Sequence, residues 1–114
     1  MLKLKTFTLC LSCEVEDENK INKDRIEEII SKYISKRISS KNYNIFSEIR
    51  KCIGVIDQVD IYVDFKRNIS LSTIIKILND MCTKNNMINY IQYRQNFYGK
   101  HEIIVKAKLD ILYT

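Results

Sequence analysis

Residues 46–61 read FSEIRKCIGVIDQVDI, a stretch that predicts a short helix running directly into a strand. Isoleucines recur every four residues at its start, which places them on one face of a helix over roughly 45–53. These residues are Ile45, Ile49 and Ile53. Gly54 follows them at the position where many helices end in a left-handed residue, so we expect Gly54 to have a positive φ.

A strand is predicted to begin immediately after the glycine, over 55–65. Apolar and polar residues alternate there, as they do in a strand with one buried face. A helix that feeds a strand without a linker is a fixed joint, and we expect this structural joint to form the core of the domain. Its residues are Ile49, Ile53, Gly54, Val55 and Val59.

Four other segments have a clear hydrophobic periodicity. Alternation of apolar and polar residues predicts strands over 3–16 and 102–113. Apolar residues three and four positions apart predict helices over 22–38 and 71–84. With residues 87–97 taken as a strand, the order is strand, helix, short helix, strand, helix, strand, strand.

The remaining signals concern the ends of the helices and one ambiguous segment. Asn22 or Asp24 can cap the first long helix, and Ser70 or Ser72 the last. Residues 87–97 stay open between strand and helix, although their β-branched and aromatic content favours a strand.

The pattern predicts an α+β fold, a two-layer sandwich in the order β-α-α-β-α-β-β. Half-buried alternation favours a mixed or antiparallel sheet of about four strands, with two or three helices packed on one face. The chain has 114 residues, 46% of them hydrophobic, which suits one core and is too little for two. We therefore expect a single domain over 1–114.

Composition also limits location and charge-driven binding. No apolar run approaches the roughly 20 residues that span a bilayer, and the first residues lack a signal-peptide core. We expect the chain to stay in the cytoplasm or in a particle assembled there. The net charge of +5 is modest, and basic residues are interleaved with acidic ones, which is typical of a solvated helix face.

The four cysteines predict buried, reduced thiols. Cys10 and Cys13 form a C-x-x-C on a predicted strand, where residues three apart lie on opposite faces. That placement does not suit a zinc knuckle, whose thiolates converge from a turn. Cys52 and Cys82 lie on the apolar stripes of predicted helices, where thiols behave as small hydrophobic groups.

The sequence offers little to support catalysis. Gly54 and Gly99 are the only glycines, so phosphate-binding and dinucleotide-binding loops are excluded. His101 is the only histidine, and we interpret it as a polar residue beside a hairpin turn. Asp60 and Asp64 are expected to form an acidic strand face rather than a metal site. We expect no enzymatic activity, no metal and no cofactor.

Tyrosines on the predicted outer strand faces are the best candidates for an interface. Tyr62, Tyr90, Tyr93 and Arg94 are residue types enriched in the centres of protein interfaces. An alternative is a small basic module that stacks single-stranded nucleic acid on these tyrosines. The glycine- and aromatic-rich motif of sheets that bind single-stranded RNA is not found here, so a protein interface is preferred.

Four consecutive pieces of the chain carry a resemblance to a known family. They are the strand Lys5–Val15, the acidic loop Glu16–Asn19, the helix Asp24–Ile38 and the segment Phe46–Ile61 with its Gly54-Val55. Together, residues 3–65 resemble the C-terminal region of the baseplate J-like proteins, which are wedge components of contractile phage tails and related injection machines.

The resemblance implies a structural subunit that acts through protein–protein contacts. It carries no catalytic residues to transfer. The implied partners are other structural proteins of the same assembly, in a homo- or hetero-oligomer, and the implied location is the tail baseplate of a virion assembled in the host cytoplasm.

Overall fold

The computed structural model describes residues 7–15, 22–50, 57–82, 86–95 and 100–109. Within these ranges the fold is α+β, as predicted. The elements are, in chain order, β1 (Phe7–Val15), α1 (Lys23–Ser35), a 3-10 turn (Ser40–Asn42), β2 (Tyr43–Arg50), β3 (Asp57–Phe65), α2 (Leu71–Met81), β4 (Asn86–Gln95) and β5 (His101–Leu109).

The strands form one mixed sheet in the order β2-β3-β1-β5-β4. β1 lies at its centre, antiparallel to β3 and parallel to β5. The outer pairs, β2 with β3 and β4 with β5, are antiparallel. β3 therefore lies between β1 and β2, which α1 connects as a split β-α-β unit.

The described residues contain one strand more than the sequence predicts, because the expected short helix over 45–53 is wrong. Tyr43–Arg50 is a strand that pairs with β3 along its whole length, from Tyr43 opposite Phe65 to Arg50 opposite Gln58. The observed order is therefore β-α-β-β-α-β-β.

The misreading has a simple geometric cause. A spacing of four residues returns to the same face of a helix, but it also returns to the same face of a strand, whose period is two. Ile45 and Ile49 share the helix-facing side of β2 and pack against the core. Ser47, which lies between them, faces the same way and is buried. Because Ser47 is polar, the apolar–polar alternation typical of a strand is not visible in the sequence of this segment.

The helical half of the predicted structural joint is therefore wrong where the structure describes it. Ile49 belongs to β2 and Val59 belongs to β3, and these strands are antiparallel neighbours in which Ile49 and Val59 lie opposite each other. Ile53, Gly54 and Val55 lie outside the described residues, and so does the conformation expected of Gly54.

One core lies between the sheet and both helices, which confirms the expected two-layer arrangement. Alternate residues of the three central strands point into it, together with one stripe of each helix. The buried positions include Leu9, Leu11, Ile30, Ile34, Val59, Ile61, Val63, Ile74, Leu78, Ile103 and Val105. The opposite face of the sheet carries no described helix and is called the open face below.

The helix caps follow the sequence signals. Asn22 caps α1, because its side-chain oxygen accepts a hydrogen bond from the backbone N–H of Arg25. Ser70 caps α2 in the same way through Thr73. Arg37, just after α1, forms a bidentate ion pair with Asp80 near the end of α2, which ties the two helices together.

The ambiguous segment 87–97 is a strand as far as it is described, because β4 spans Asn86–Gln95. It pairs with β5 and contains an irregularity between Ile88 and Tyr90, where the register shifts by one residue. A shift of this kind changes which residues face which side of the sheet.

Of the helices that the structure describes, none is long and apolar enough to cross a membrane.

Candidate functional site

The structure places the four predicted interface residues at two locations. Tyr90, Tyr93 and Arg94 lie on β4 at one edge of the sheet, whereas Tyr62 lies on β3. Two strands, β1 and β5, separate β3 from β4. The open face near Tyr62 and the edge formed by β4 are therefore two different candidate surfaces.

Tyr62 belongs to the open face and is half-buried rather than exposed. Its ring stacks on that of Phe46, with centroids 4.9 Å apart and planes inclined by 18°. Phe46 lies directly opposite Tyr62 in the β2–β3 pairing, so the stack is a cross-strand pair. It covers one side of the Tyr62 ring, which leaves less of that ring available to a partner.

Polar side chains beside this stack are paired with one another across the strands. Thr8 donates a hydrogen bond to Asp64 at 2.7 Å, and Lys100 lies 3.4 Å from the same carboxylate. At the β4 side, the Arg94 guanidinium donates to Glu102 at 2.9 Å. These contacts link four strands of the open face.

Asp60 is the most buried polar group of the open face, with 2% of its surface exposed. Gln58 donates to one of its carboxylate oxygens at 2.8 Å, and the Tyr62 hydroxyl donates to the other at 3.4 Å. The Gln58 amide also donates to Ser12 on β1. Hydrogen bonds of this kind offset the free-energy cost of burying a polar side chain. We therefore interpret Asp60 as a structural residue of the sheet.

The open face forms a shallow concavity of about 470 Å³ with balanced charge. Its charged lining consists of Asp60, Asp64, Glu102, Arg94, Lys100 and Lys106, which is three carboxylates and three cations. A surface that binds a nucleic-acid backbone carries an excess of cations. Along the described part of the chain, no group of three or more His, Cys, Asp or Glu side chains is placed to hold a metal ion.

No disulfide joins the three cysteines that the structure describes. Cys13 is buried on the helix-facing side of β1 and Cys10 lies on the open face, so the C-x-x-C pair is split between two faces, as predicted. Burial raises the pKa of Cys13 to about 12, helped by the nearby Asp60. Cys82 is exposed at the end of α2, so the expectation that it is buried was wrong, and Cys52 lies outside the described residues.

The edge strand β4 differs from the open face because it presents large apolar side chains to solvent. Tyr90 is 47% exposed, Ile91 50% and Tyr93 48%. Ile91 lies opposite Val105 and Tyr93 opposite Ile103, so both extend the helix-facing side of the sheet. Tyr90 lies opposite Lys106 and shares the open face with Arg94. Apolar groups therefore project from both sides of this strand.

An aromatic cluster fixes the position of Tyr93. Its ring stacks on His101 with a centroid separation of 5.6 Å, and its hydroxyl is hydrogen-bonded to the Nδ1 atom of that histidine. The buried Phe7 contacts both rings, with centroids 6.2 Å from Tyr93 and 5.7 Å from His101. His101, the first residue of β5, is thus a packing partner of Tyr93 as well as a polar residue at the start of a strand.

The opposite edge, β2, is covered by α1. The Tyr43 hydroxyl is hydrogen-bonded to that of Ser31 at 2.5 Å, and Ser47 donates to Glu27 at 3.0 Å. Both bonds cross from the strand to the helix. They hold β2 against the rest of the domain and bury its helix-facing side.

Sequence reasoning overlooked two residues of these surfaces, Ile91 and Phe46. Ile91 alternates with polar residues in the same way as a buried strand residue, and only the position of β4 at the edge makes it exposed. Phe46 falls within the predicted helix over 45–53, and a helix gives no indication of its pairing with Tyr62.

No protein-family model, curated protein or solved structure matches the chain.

Proposed function

We propose that the protein is a structural assembly subunit that acts through protein–protein contacts, with β4 as its contact element. The observation that carries the proposal is the exposure of Tyr90, Ile91 and Tyr93 along one edge strand. An edge strand with exposed apolar side chains is a template for pairing with another chain. Tyrosine at such a site supplies a large contact area at a small cost in side-chain entropy.

The chemistry of the open face also favours assembly over catalysis. Its carboxylates and cations are engaged with one another, as in the contacts of Asp64 with Lys100 and of Glu102 with Arg94. Groups paired in this way stabilise the sheet. They are not arranged around a shared point where a substrate atom would react.

Within this proposal, the chain is a wedge-type component of the tail baseplate of a contractile phage or a related injection machine. Support comes from the resemblance of residues 3–65 to baseplate J-like proteins. Within the residues that carry this resemblance, the structure has a strand at Phe7–Val15 and a helix at Lys23–Ser35. The partners are then other structural proteins of the same particle, and the location is the virion.

The test is co-expression with the tail-tube, sheath and wedge proteins encoded in the same genome, followed by purification and mass determination. We expect a stable complex with at least one of them, lost in Tyr90→Lys combined with Tyr93→Lys. Ile75→Lys is the matched control, because Ile75 is an exposed apolar residue that lies on α2 rather than on β4. A chain that stays monomeric and binds none of these proteins would overturn the proposal.

The single-stranded nucleic-acid alternative has less support. The balanced charges of the open face give it no cationic excess, and the Tyr62 ring is already stacked on Phe46. We expect labelled single strands to show no salt-dependent affinity, measured by fluorescence anisotropy at low ionic strength. Tight binding that is lost in Tyr62→Ala would favour the alternative instead.

A further inference from the structure

The outer edge of β4 has the features of a strand that pairs with its own copy. β4 ends the strand order of the sheet, and among the described strands it pairs only with β5. It is ten residues long. In an antiparallel pair, alternate backbone N–H and C=O groups point away from the neighbouring strand, where they can accept another strand.

We infer that β4 pairs antiparallel with β4 of a second copy, which joins two five-stranded sheets into one continuous ten-stranded sheet. This inference rests on the proposed assembly function and names the partner of its contact strand. The pairing has twofold symmetry, so each contact is made twice.

The faces of β4 restrict the register of such a pair. Residues directly opposite each other in an antiparallel pair lie on the same face of the sheet. A twofold axis perpendicular to the sheet keeps all helices on one side. This axis must pass midway between one residue of β4 and the same residue of the second copy, so that this residue lies opposite its own copy. Ile91 and Tyr93 would meet residues of the helix-facing side, whereas Tyr90 and Arg94 would meet residues of the open face.

A register centred on Gln92 matches side chains best. It places Ile91 opposite Tyr93 of the second copy and Tyr90 opposite Arg94 of the second copy, each pair occurring twice. The first is an aromatic–aliphatic cross-strand pair, and the second places a guanidinium beside a tyrosine ring. Arg94 can keep its own bond to Glu102 in this arrangement, because Glu102 lies on the opposite neighbour, β5.

Charge also favours a second copy as the occupant. The sequence of β4, NMINYIQYRQ, contains one charged residue, Arg94. The Gln92 register keeps the two arginines apart, whereas a register centred on Arg94 would place them directly opposite each other. β2, the other edge, carries the exposed charged residue Glu48, and a charged side chain on an edge strand discourages edge-to-edge pairing.

The sharpest test is a cross-link at the symmetry axis. In Gln92→Cys the two introduced thiols would lie directly opposite, with Cα atoms about 4.5–5.5 Å apart, which suits a disulfide. We expect mild oxidation to produce a disulfide between the two copies of residue 92, identified by mass spectrometry of the linked peptides. Mapping the peptides separates this link from links made by the native cysteines.

Gln95→Cys is the register control on the same strand. Its two thiols would lie six residues apart along the paired strands, about 20 Å, and should not link to each other. Glu48→Cys is the control on the β2 edge. Preferential linkage at residue 95 or at residue 48 would overturn the inference.

The second test is the mass of the chain in solution, measured by light scattering over a wide concentration range. We expect a concentration-dependent dimer with twice the chain mass of 13.6 kDa. Ile91→Lys should give a monomer, because it removes the aliphatic half of both cross-strand pairs and brings two like-charged ammonium groups to diagonal positions across the paired strands. Ile75→Lys on α2 should leave the dimer intact.

The outcomes separate this inference from the proposed function. A dimer that links at residue 92 and dissociates in Ile91→Lys supports the inference. A monomer that still binds another structural protein through β4 overturns the inference and leaves the proposed function standing. A monomer that binds no structural protein overturns both.

Discussion

The two edges of the sheet end in similar strands but have different surroundings. β2 and β4 each place a tyrosine on the helix-facing side, Tyr43 in the first and Tyr93 in the second. Tyr43 is 5% exposed, whereas Tyr93 is 48% exposed. The residue type and the side of the sheet are the same, so the difference comes from what covers the strand.

The cover over β2 is α1, which accepts two hydrogen bonds from the strand. One joins the Tyr43 hydroxyl to the Ser31 carbonyl at 3.3 Å, and the other joins Ser47 to Glu27 at 3.0 Å. Beside β4, Tyr93 instead packs edge-on against Phe7 and stacks on His101. The helix-facing side of β2 is therefore packed against α1 within the domain, whereas β4 presents Ile91 and Tyr93 to solvent.

The largest effect expected from this comparison is the difference between two matched truncations. Tyr43→Ala should lower the free energy of unfolding by about 3–5 kcal/mol, because it removes a buried aromatic side chain. Tyr93→Ala should cost about 1 kcal/mol or less, since half of its surface is already in solvent. Urea unfolding at a concentration where the chain is monomeric measures both values.

Tyr43→Phe separates packing from hydrogen bonding at β2. It keeps the ring and removes the hydroxyl, so we expect a loss of about 1 kcal/mol. Equal losses of stability for Tyr43→Ala and Tyr93→Ala would contradict the described difference between the edges, because they would mean that α1 does not bury Tyr43 more than its surroundings bury Tyr93.

The next effect is a fall in the free energy of unfolding at alkaline pH. It is caused by Cys13, which is buried on the helix-facing side of the central strand β1. The pKa of Cys13 is raised from 9.0 to about 12 in the folded chain. Between these pH values the unfolded thiol loses its proton while the folded thiol keeps it, so stability is present below pH 9 and declines above it. The slope contributed by this group should approach about 1.4 kcal/mol per pH unit.

Cys13→Ala is the control for the alkaline effect, because it removes the ionising group. Its stability should be lower at neutral pH but should depend less on pH between about 9 and 12. Urea unfolding at several pH values gives both slopes. Equal slopes in the two proteins would show that Cys13 is open to solvent, and the interior between the edges would then be less tightly closed than the structure indicates.

The smallest effect concerns the hydrogen bond between Ser47 and Glu27. Ser47→Ala should lower the free energy of unfolding by about 1 kcal/mol, because it leaves a half-buried carboxylate without one of its donors. A double-mutant cycle with Glu27→Ala isolates the contribution of the pair, because alanine has no side-chain acceptor. A coupling energy near zero would show that packing alone holds β2 against α1.

Sequence periodicity anticipates the elements whose pattern matches one period only. β1 and β5 alternate cleanly, and α1 and α2 carry apolar residues three and four positions apart, so all four were predicted within a few residues of their described ends. β2 was missed because Ile45 and Ile49 fit both periods and Ser47 interrupts the apolar face. The bond from Ser47 to Glu27 is a tertiary contact that periodicity cannot reveal.

The candidate surface was predicted only in part for the same kind of reason. Tyr90, Tyr93 and Arg94 lie on one exposed edge strand, whereas two strands separate Tyr62 from it. The order of strands depends on long-range pairing, which local patterns do not encode. The register shift between Ile88 and Tyr90 also sets which tyrosine faces which side, and a uniform alternation does not anticipate it.

The central position of β1 has a consequence for synthesis of the chain. Phe7 pairs with His101, so the parallel partner of the first strand is made 94 residues later. At translation rates of about 5–20 residues per second, β1 leaves the ribosome roughly 5–20 s before that partner does. During this interval β3 can cover one edge of β1 while the other stays open. Until β5 emerges, the nascent chain therefore exposes a strand edge to pairing with other chains, and this is the edge that a chaperone would have to shield.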